Sequence, residues 1–219
     1  MKILVTAGPT REYIDDVRYV SNASSGKMGY AVARAAKKAG HDVVLVKGPT
    51  ELKPPSGIPC VNVVSARQMK GAVDEFLPWC DAMIMAAAVA DYRPVRRVKG
   101  KIKKESEKLV VEMKKNPDIL KGDSRKKEGR LLVGFALESV HLREQATEKL
   151  RAKKLDLIVG NAPASIARER TTALVIDRDG NEYEHDDVKK SSLARTVIKR
   201  LEKLAGIEPK KKKKARSGG

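Results

Sequence analysis

Residues 8–29, Gly-Pro-Thr-Arg-Glu-Tyr-Ile-Asp-Asp-Val-Arg-Tyr-Val-Ser-Asn-Ala-Ser-Ser-Gly-Lys-Met-Gly, lie between a short apolar run and an alanine-rich one. A strand that feeds a helix at such a place leaves backbone N–H groups unpaired at the positive end of the helix dipole, where an anion is favoured. Gly26 and Gly29 let the main chain come close, Arg11, Arg18 and Lys27 add positive charge, and Asn22 adds an uncharged donor and acceptor. Two later groupings suit the same chemistry. Lys101, Lys103 and Lys104 cluster, and Lys149 and Lys153 are four apart, on one face of an expected helix. By themselves both groupings are more often solvated surface charge.

The two most familiar phosphate motifs do not fit. A P-loop needs Ser or Thr after its Gly-Lys, and Gly26-Lys27 is followed by Met28. The dinucleotide fingerprint needs Gly-x-Gly-x-x-Gly after the first strand and an acid ending the second, whereas this chain has Gly8-Pro9-Thr10 and Lys47. A lysine at that place suits the extra phosphate of NADP, so an NADP-dependent oxidoreductase stands as an alternative.

The elements that must position these groups alternate along the chain. Lys2 to Ala7 reads as a buried strand, and Tyr30 to Lys38 as a helix stopped by Gly40. Strands follow at Val43 to Val46 and, after a Pro- and Gly-rich connection, at Val61 to Val64. Ser65 and Gln68 form a capping box for a helix reaching about Phe76, and Ala82 to Ala90 reads as a strand covered on both faces. Tyr92 to Lys115 is lysine-rich and partly alternating, as in a mobile hairpin or flap. Asn116 is placed to N-cap a short helix with Pro117 as its first residue. Leu131 to Ala136, His141 to Lys154 and Leu155 to Val159 read as strand, helix, strand. Ala173 to Ile176 and Glu182 to Glu184 flank the turn Asp-Arg-Asp-Gly-Asn, and a helix from Val188 to Leu204 follows. The expected fold is α/β, a doubly wound, mostly parallel, Rossmann-like sheet over residues 1–206. It carries a lysine-rich flap at about 92–115 and a C-terminal β-hairpin, and the basic tail 207–219 is expected to be disordered.

Composition narrows the function classes. The 219 residues carry a formal net charge of +18, about a third of it in Lys210 to Lys214 and Arg216. Aromatics make up only 4% and do not interleave with the lysines, which argues for small anionic ligands over a basic nucleic-acid-binding module. Cys60 and Cys80 stand alone, and His41, His141 and His185 lack ligand spacing, so neither a disulfide scaffold nor a protein-held metal is indicated. No signal-peptide-like start and no run of 18 apolar residues is present, and a cytoplasmic protein with no membrane partner is expected.

Several segments, taken in order, are more specific than any one alone. They are Ala7-Gly-Pro-Thr-Arg-Glu, Val17-Arg-Tyr-Val-Ser-Asn-Ala-Ser-Ser-Gly-Lys-Met-Gly29, Ala86-Ala-Ala-Val-Ala-Asp-Tyr-Arg-Pro94 and Lys101-Ile-Lys-Lys104. Asn116-Pro-Asp-Ile-Leu120, Gly134-Phe-Ala-Leu-Glu138 and Lys149-Leu-Arg-Ala-Lys153 complete the set. To about residue 200 the chain resembles the phosphopantothenate-cysteine ligases of coenzyme A biosynthesis. The resemblance implies a reaction of 4′-phosphopantothenate, L-cysteine and a nucleoside triphosphate, CTP or ATP, through an acyl-cytidylate, with Mg2+ carried on the nucleotide phosphates. It implies catalytic roles for Asn22, Lys101 and Arg18. Nucleotide contacts would come from Ala87, Asp91, Lys101, Asn116, Pro117, Asp118, Ile119, Phe135, Lys149 and Lys153. Ser24, Ser25, Gly26, Lys27, Met28 and Ala88 would hold the phosphorylated substrate. It further implies a homodimer whose flap reaches the neighbouring site. Gly160-Asn161-Ala162-Pro163 departs from the Ala-Asn-Asp common there, and the flavin-dependent decarboxylase usually fused to bacterial relatives is not in this sequence.

Overall fold

Strand and helix alternate because short β-branched runs are separated by alanine- and charge-rich stretches of helical period. The computed structural model describes residues 1–104, 107–124, 127–138, 140–162, 166 and 168–207. Strand β1 (Lys2–Ala7) is followed by a small hairpin, β2 (Arg11–Tyr13) and β3 (Tyr19–Ser21), then α1 (Lys27–Lys38), β4 (Asp42–Lys47), β5 (Cys60–Asn62) and α2 (Ala66–Phe76). Next come β6 (Ala82–Met85), β7 (Tyr92–Pro94), β8 (Met113–Lys115), α3 (Ile119–Ser124), β9 (Leu131–Leu137), α4 (Leu142–Ala152) and β10 (Leu157–Asn161). The hairpin β11 (Arg170–Asp177) and β12 (Glu182–Lys189) and the helix α5 (Lys190–Leu204) close the sequence of elements.

Eight strands form one sheet in the order β12-β11-β10-β9-β6-β1-β4-β5. From β10 to β5 neighbouring strands are parallel, and β11 and β12 are added antiparallel at one edge. Alternation of side chains decides which helix covers which face. Ile3 and Val5 of β1 pack with α1 and α5, and Leu4 belongs to the cluster on the other face with α2, α3 and α4. This is the doubly wound, mostly parallel α/β sheet expected from the sequence. Among the described residues no helix is long and apolar enough to cross a membrane.

Several expected boundaries move for identifiable reasons. The run from Ala82 is a strand only to Met85, because two buried hydroxyls draw the next residues out of the ladder. Thr6 Oγ1 accepts the Ala87 N–H at 3.2 Å and Thr10 Oγ1 accepts that of Ala90 at 3.0 Å. Asn116 does not cap a helix and Pro117 is not its first residue, since α3 begins at Ile119. Asn116 instead ties the flap base to the loop after β6. Its Nδ2 donates to the Ala90 carbonyl at 2.8 Å, and its Oδ1 accepts from Arg93 at 3.0 Å. The last helix starts at Lys190, because Val188 pairs with Thr171 in the β11–β12 ladder. The capping box at Ser65 and Gln68 is present.

The segment 92–115 opens and closes as the antiparallel pair β7 and β8. Its middle lies on the β2–β3 hairpin, which was not foreseen. Asp15, with its side chain fully buried, accepts the N–H groups of Val17, Arg18 and Ile102, and Asp16 accepts that of Gly100 at 2.6 Å. Residues 208–219, which hold most of the expected basic tail, lie outside the described residues.

Candidate active site

The direction of winding reverses at the β1/β6 junction: β4 and β5 lie on one side of β1, and β6 and β9 lie on the other. A ligand crevice belongs outside the carboxyl ends of the strands at such a switch point. A cavity of about 560 Å3 opens there. Its walls are the loop Asn22–Met28 after β1, residues 86–89 and Asp91 after β6, Phe135–Glu138 at the end of β9, Lys149 on α4 and Asn161 at the end of β10. Thr171 and Lys190 close the far side.

Asn22 stands in the middle of this arrangement. Its Nδ2 donates to the carbonyls of Val89 at 3.0 Å and Ala88 at 3.3 Å. Since carbonyls only accept, they fix which end of the amide faces them and turn Oδ1 the other way. The alternative role for Asn22, a side-chain cap on the following turn, is not what forms there: Ser24 N–H goes to the Asn22 backbone carbonyl at 2.8 Å.

One end of the cavity is the start of α1. Gly26 caps it in the left-handed conformation, at φ 76°, with no side-chain cap, and the first turn carries no acid. An L side chain at Gly26 would be strained there and would meet Thr50. Ser24 Oγ accepts the Gly26 N–H, and Lys27 pairs with Glu169. Gly29 faces β1 and not the cavity: a Cβ there would come within 2.5 Å of Ala7 Cβ, so its role is the close packing of helix on strand.

The other end is Lys149. Burial pushes its pKa below the ordinary lysine value and Lys153 pushes the same way, against Glu138, Asp118 and Asp91. α4 ends at Ala152, yet the Lys153 N–H still bonds the Lys149 carbonyl, so the two lysines remain one turn apart. Lys153 Nζ pairs with Asp118 at 2.8 Å. Phe135 both lines the cavity and packs against the core.

Thus Asn22, Ser24, Ser25, Gly26, Lys27, Met28, Ala87, Ala88, Asp91, Phe135 and Lys149 share one cavity. Others do not line it. Lys101 and Lys103 line a separate hollow on the flap with Ile14 and Val110. Arg18 is held by Asp15 and by the Ile102 carbonyl, and Arg11 stacks on the Tyr19 ring at 4.6 Å from its centroid. Asn116, Pro117, Asp118 and Lys153 are outside the cavity lining too, and Ile119, 2% exposed, is core. Lys47, the residue considered for an NADP phosphate, does not line the cavity either. Sequence reasoning missed Lys190, Glu138 and Thr171. The Lys189-Lys190 pair carries no motif, and only the β11–β12 pairing reveals that Lys190 turns inward.

Comparison with known proteins places this geometry in context. The family profile of the DNA/pantothenate metabolism flavoprotein C-terminal domain matches residues 1–204. The coenzyme A biosynthesis bifunctional protein CoaBC of Vibrio vulnificus strain YJ016 is 48% identical over 162 residues, 73% of this chain and 40% of that protein. Its counterpart in Bacillus subtilis strain 168 is 38% identical over 208 residues, 93% of this chain and 51% of that one. This chain therefore spans about half, or less, of the length of the curated relatives it matches. The crystal structure of the C-terminal domain of a CoaBC protein superposes with a TM-score of 0.82 at 40% identity, covering 94% of this chain and 95% of that one.

Proposed function

The chain belongs to the DNA/pantothenate metabolism flavoprotein C-terminal domain family, and on that premise we propose that it is a ligase joining 4′-phosphopantothenate to L-cysteine in coenzyme A biosynthesis. The observation that carries the proposal is one cavity lined by Lys27 at the α1 start, by Lys149 on α4 and by the neutral amide of Asn22. It suits two phosphorylated reactants brought together over a group that adds no charge.

A carboxylate is a poor acyl donor, because it repels nucleophiles and has no leaving group. In the proposed first step, a carboxylate oxygen of phosphopantothenate attacks the α-phosphorus of CTP, the bond to the β-phosphate oxygen breaks, and pyrophosphate leaves. In the second, the cysteine nitrogen attacks the acyl carbon of the acyl-cytidylate, CMP leaves with the bonding pair, and the amine proton is lost. Both steps gather negative charge on phosphoryl or acyl oxygens, where preorganised donors contribute most. Magnesium enters as part of the substrate, on the nucleotide phosphates. Ser24 to Met28 at the α1 start, with Ala88, hold the phosphopantothenate end. Lys149, Phe135, Ala87 and Asp91 hold the nucleotide, with Asp118 and Lys153 positioning this wall. Asn22, with Nδ2 held by the two carbonyls and Oδ1 turned away from them, acts in the second step, where Oδ1 accepts a hydrogen bond from the attacking cysteine amine. Charged, phosphorylated reactants of this kind place the enzyme in the cytoplasm.

Lys101 enters this reading from a second copy of the chain. It lines a different hollow from the Asn22 cavity, and the hairpin and flap expose apolar side chains, among them Val17, Val20, Tyr92 and Val110, the last 89% exposed. Exposed apolar side chains favour burial against a partner surface, which supports a homodimer.

The test is pyrophosphate release from 4′-phosphopantothenate and magnesium with either CTP or ATP, with and without cysteine, following the nucleoside monophosphate and the amide by mass spectrometry. The expected result is amide formation that requires cysteine and prefers CTP. Folded protein that forms neither the acyl-nucleotide nor the amide would overturn the proposal.

A further inference from the structure

Lys190 is 8% exposed and still lines the cavity, at the first residue of α5. An ammonium group taken that far out of water requires anionic company. Burial and the charge of Lys27 push its pKa below the ordinary lysine value, and the Glu169 carboxylate opposes them. Lys27, on α1, lines the same corner of the cavity and pairs with the Glu169 carboxylate. Two cations from different helices thus converge beside the start of α1, which lacks a side-chain cap, and the Glu169 carboxylate bears on both.

That carboxylate is poorly held. The Glu169 side chain is 77% exposed, and an exposed lysine–carboxylate pair is a weak contact. The Glu169 main chain, in contrast, is fixed, because its carbonyl accepts the Lys190 N–H at 3.0 Å. The side chain can therefore swing aside with no movement of α5. A phosphate monoester brings two charges and three acceptor oxygens to the same corner, and backbone N–H groups as well as lysines can bind it.

Resting on the ligase reading above, we propose that Lys190 joins Lys27 in binding the phosphate of 4′-phosphopantothenate, and that the Glu169 carboxylate occupies Lys27 until the phosphate displaces it. Glu169 is then a built-in competitor of the substrate phosphate.

Calorimetric titration of the intact chain with 4′-phosphopantothenate, with pantothenate and with CTP tests this, on wild type and on Lys190→Met and Glu169→Gln. Lys190→Met, which preserves the length of the buried stem, is expected to weaken phosphopantothenate about tenfold or more and to leave pantothenate and CTP unchanged, as loss of a charge-assisted contact requires. Glu169→Gln, on an exposed side chain that does not threaten folding, is expected to tighten phosphopantothenate several-fold, and to lose that effect in a Lys27→Met background. Phosphopantothenate affinity that ignores both substitutions overturns the inference and leaves the ligase reading standing. Weakening of CTP in place of phosphopantothenate assigns the corner to the nucleotide and overturns it too. Wild-type protein that binds neither phosphopantothenate nor CTP removes both readings.

Discussion

At the scale of single residues, Asn22 and Lys149 make different demands. The Asn22 amide faces two carbonyls, and Asn22→Asp would set a carboxylate against them, with repulsion where there are now two hydrogen bonds. The proposed role then predicts that the variant forms acyl-cytidylate and releases pyrophosphate, but makes amide at least about a hundredfold more slowly, the scale for losing one preorganised donor or acceptor. Rapid-quench analysis would show the trapped intermediate; amide formation at the wild-type rate would end the assignment. Lys149 is a matter of protons. Its pKa is lowered in the empty site, first by burial and then by Lys153, and a bound triphosphate favours the charged form. Between that lowered value and the ordinary lysine value of 10.5, nucleotide binding must therefore take up protons. Calorimetry at alkaline pH in buffers of different ionisation enthalpy measures that uptake, and Lys149→Met should abolish it and weaken the nucleotide about tenfold. Much of the cavity lining was legible in residues 22–28 and 86–91, because a loop between a strand and a helix gathers its residues at one place in the chain. Lys190 was not, since it reaches the cavity through a strand pairing that no nearby residue announces.

At the scale of elements, the sequence was clear where one period governed a whole segment and unclear where side chains redirected the backbone. β1 was read to its exact ends, yet β6 was read five residues too long, because an apolar run cannot disclose that Thr6 and Thr10 capture the N–H groups of Ala87 and Ala90. The contact of α1 with β1 depends on Gly29. Alanine is the better helix former by about 1 kcal/mol. Its Cβ, however, would lie 2.8 Å from the Thr6 carbonyl oxygen and 2.5 Å from Ala7 Cβ, and strand backbone does not yield as a flexible side chain does. Overpacking of about 1–3 kcal/mol outweighs the helical gain, so Gly29→Ala should lower the midpoint of urea unfolding and loosen the α1 end of the cavity. The flap depends in the same way on Asp15. Burial opposes its ionisation, but the N–H groups of Arg18, Val17 and Ile102 outweigh burial and hold its carboxyl below the ordinary 3.8. A carboxyl depressed in the folded state contributes stability above its unfolded value and loses it as pH falls through the folded one. Docking of the flap on the hairpin should thus persist through neutral pH and fail only in acid below 3.8. Asp15→Asn should release it at pH 7, seen as faster hydrogen exchange at Gly100 and Ile102 with the sheet unchanged.

At the scale of the whole molecule, the separation of Lys101 from the Asn22 cavity decides what assembly the proposed chemistry needs. A flap that served its own chain would have to leave the Asp15 and Asp16 contacts that hold it on the hairpin. A flap that serves a neighbour can keep them, and the apolar side chains exposed around it supply the surface on which two copies meet. These alternatives differ in one measurable respect. Lys101→Gln and Asn22→Asp each disable a different half of a shared site, so homodimers of either variant should be inactive in amide formation. Mixing the two and allowing subunits to exchange forms heterodimers in which one site combines the intact Asn22 of one protomer with the intact Lys101 of the other. With random pairing, half the dimers are mixed and half of their sites are whole, so activity should return to about a quarter of wild type, as two-fold symmetry requires. A flap acting within its own chain gives no recovery, because every cavity then carries one of the two substitutions. Sedimentation of the Val110→Lys variant supplies the independent check: a charge at this exposed apolar position should shift the dimer toward monomer, and the monomer should still bind nucleotide through Lys149 while forming no acyl-cytidylate.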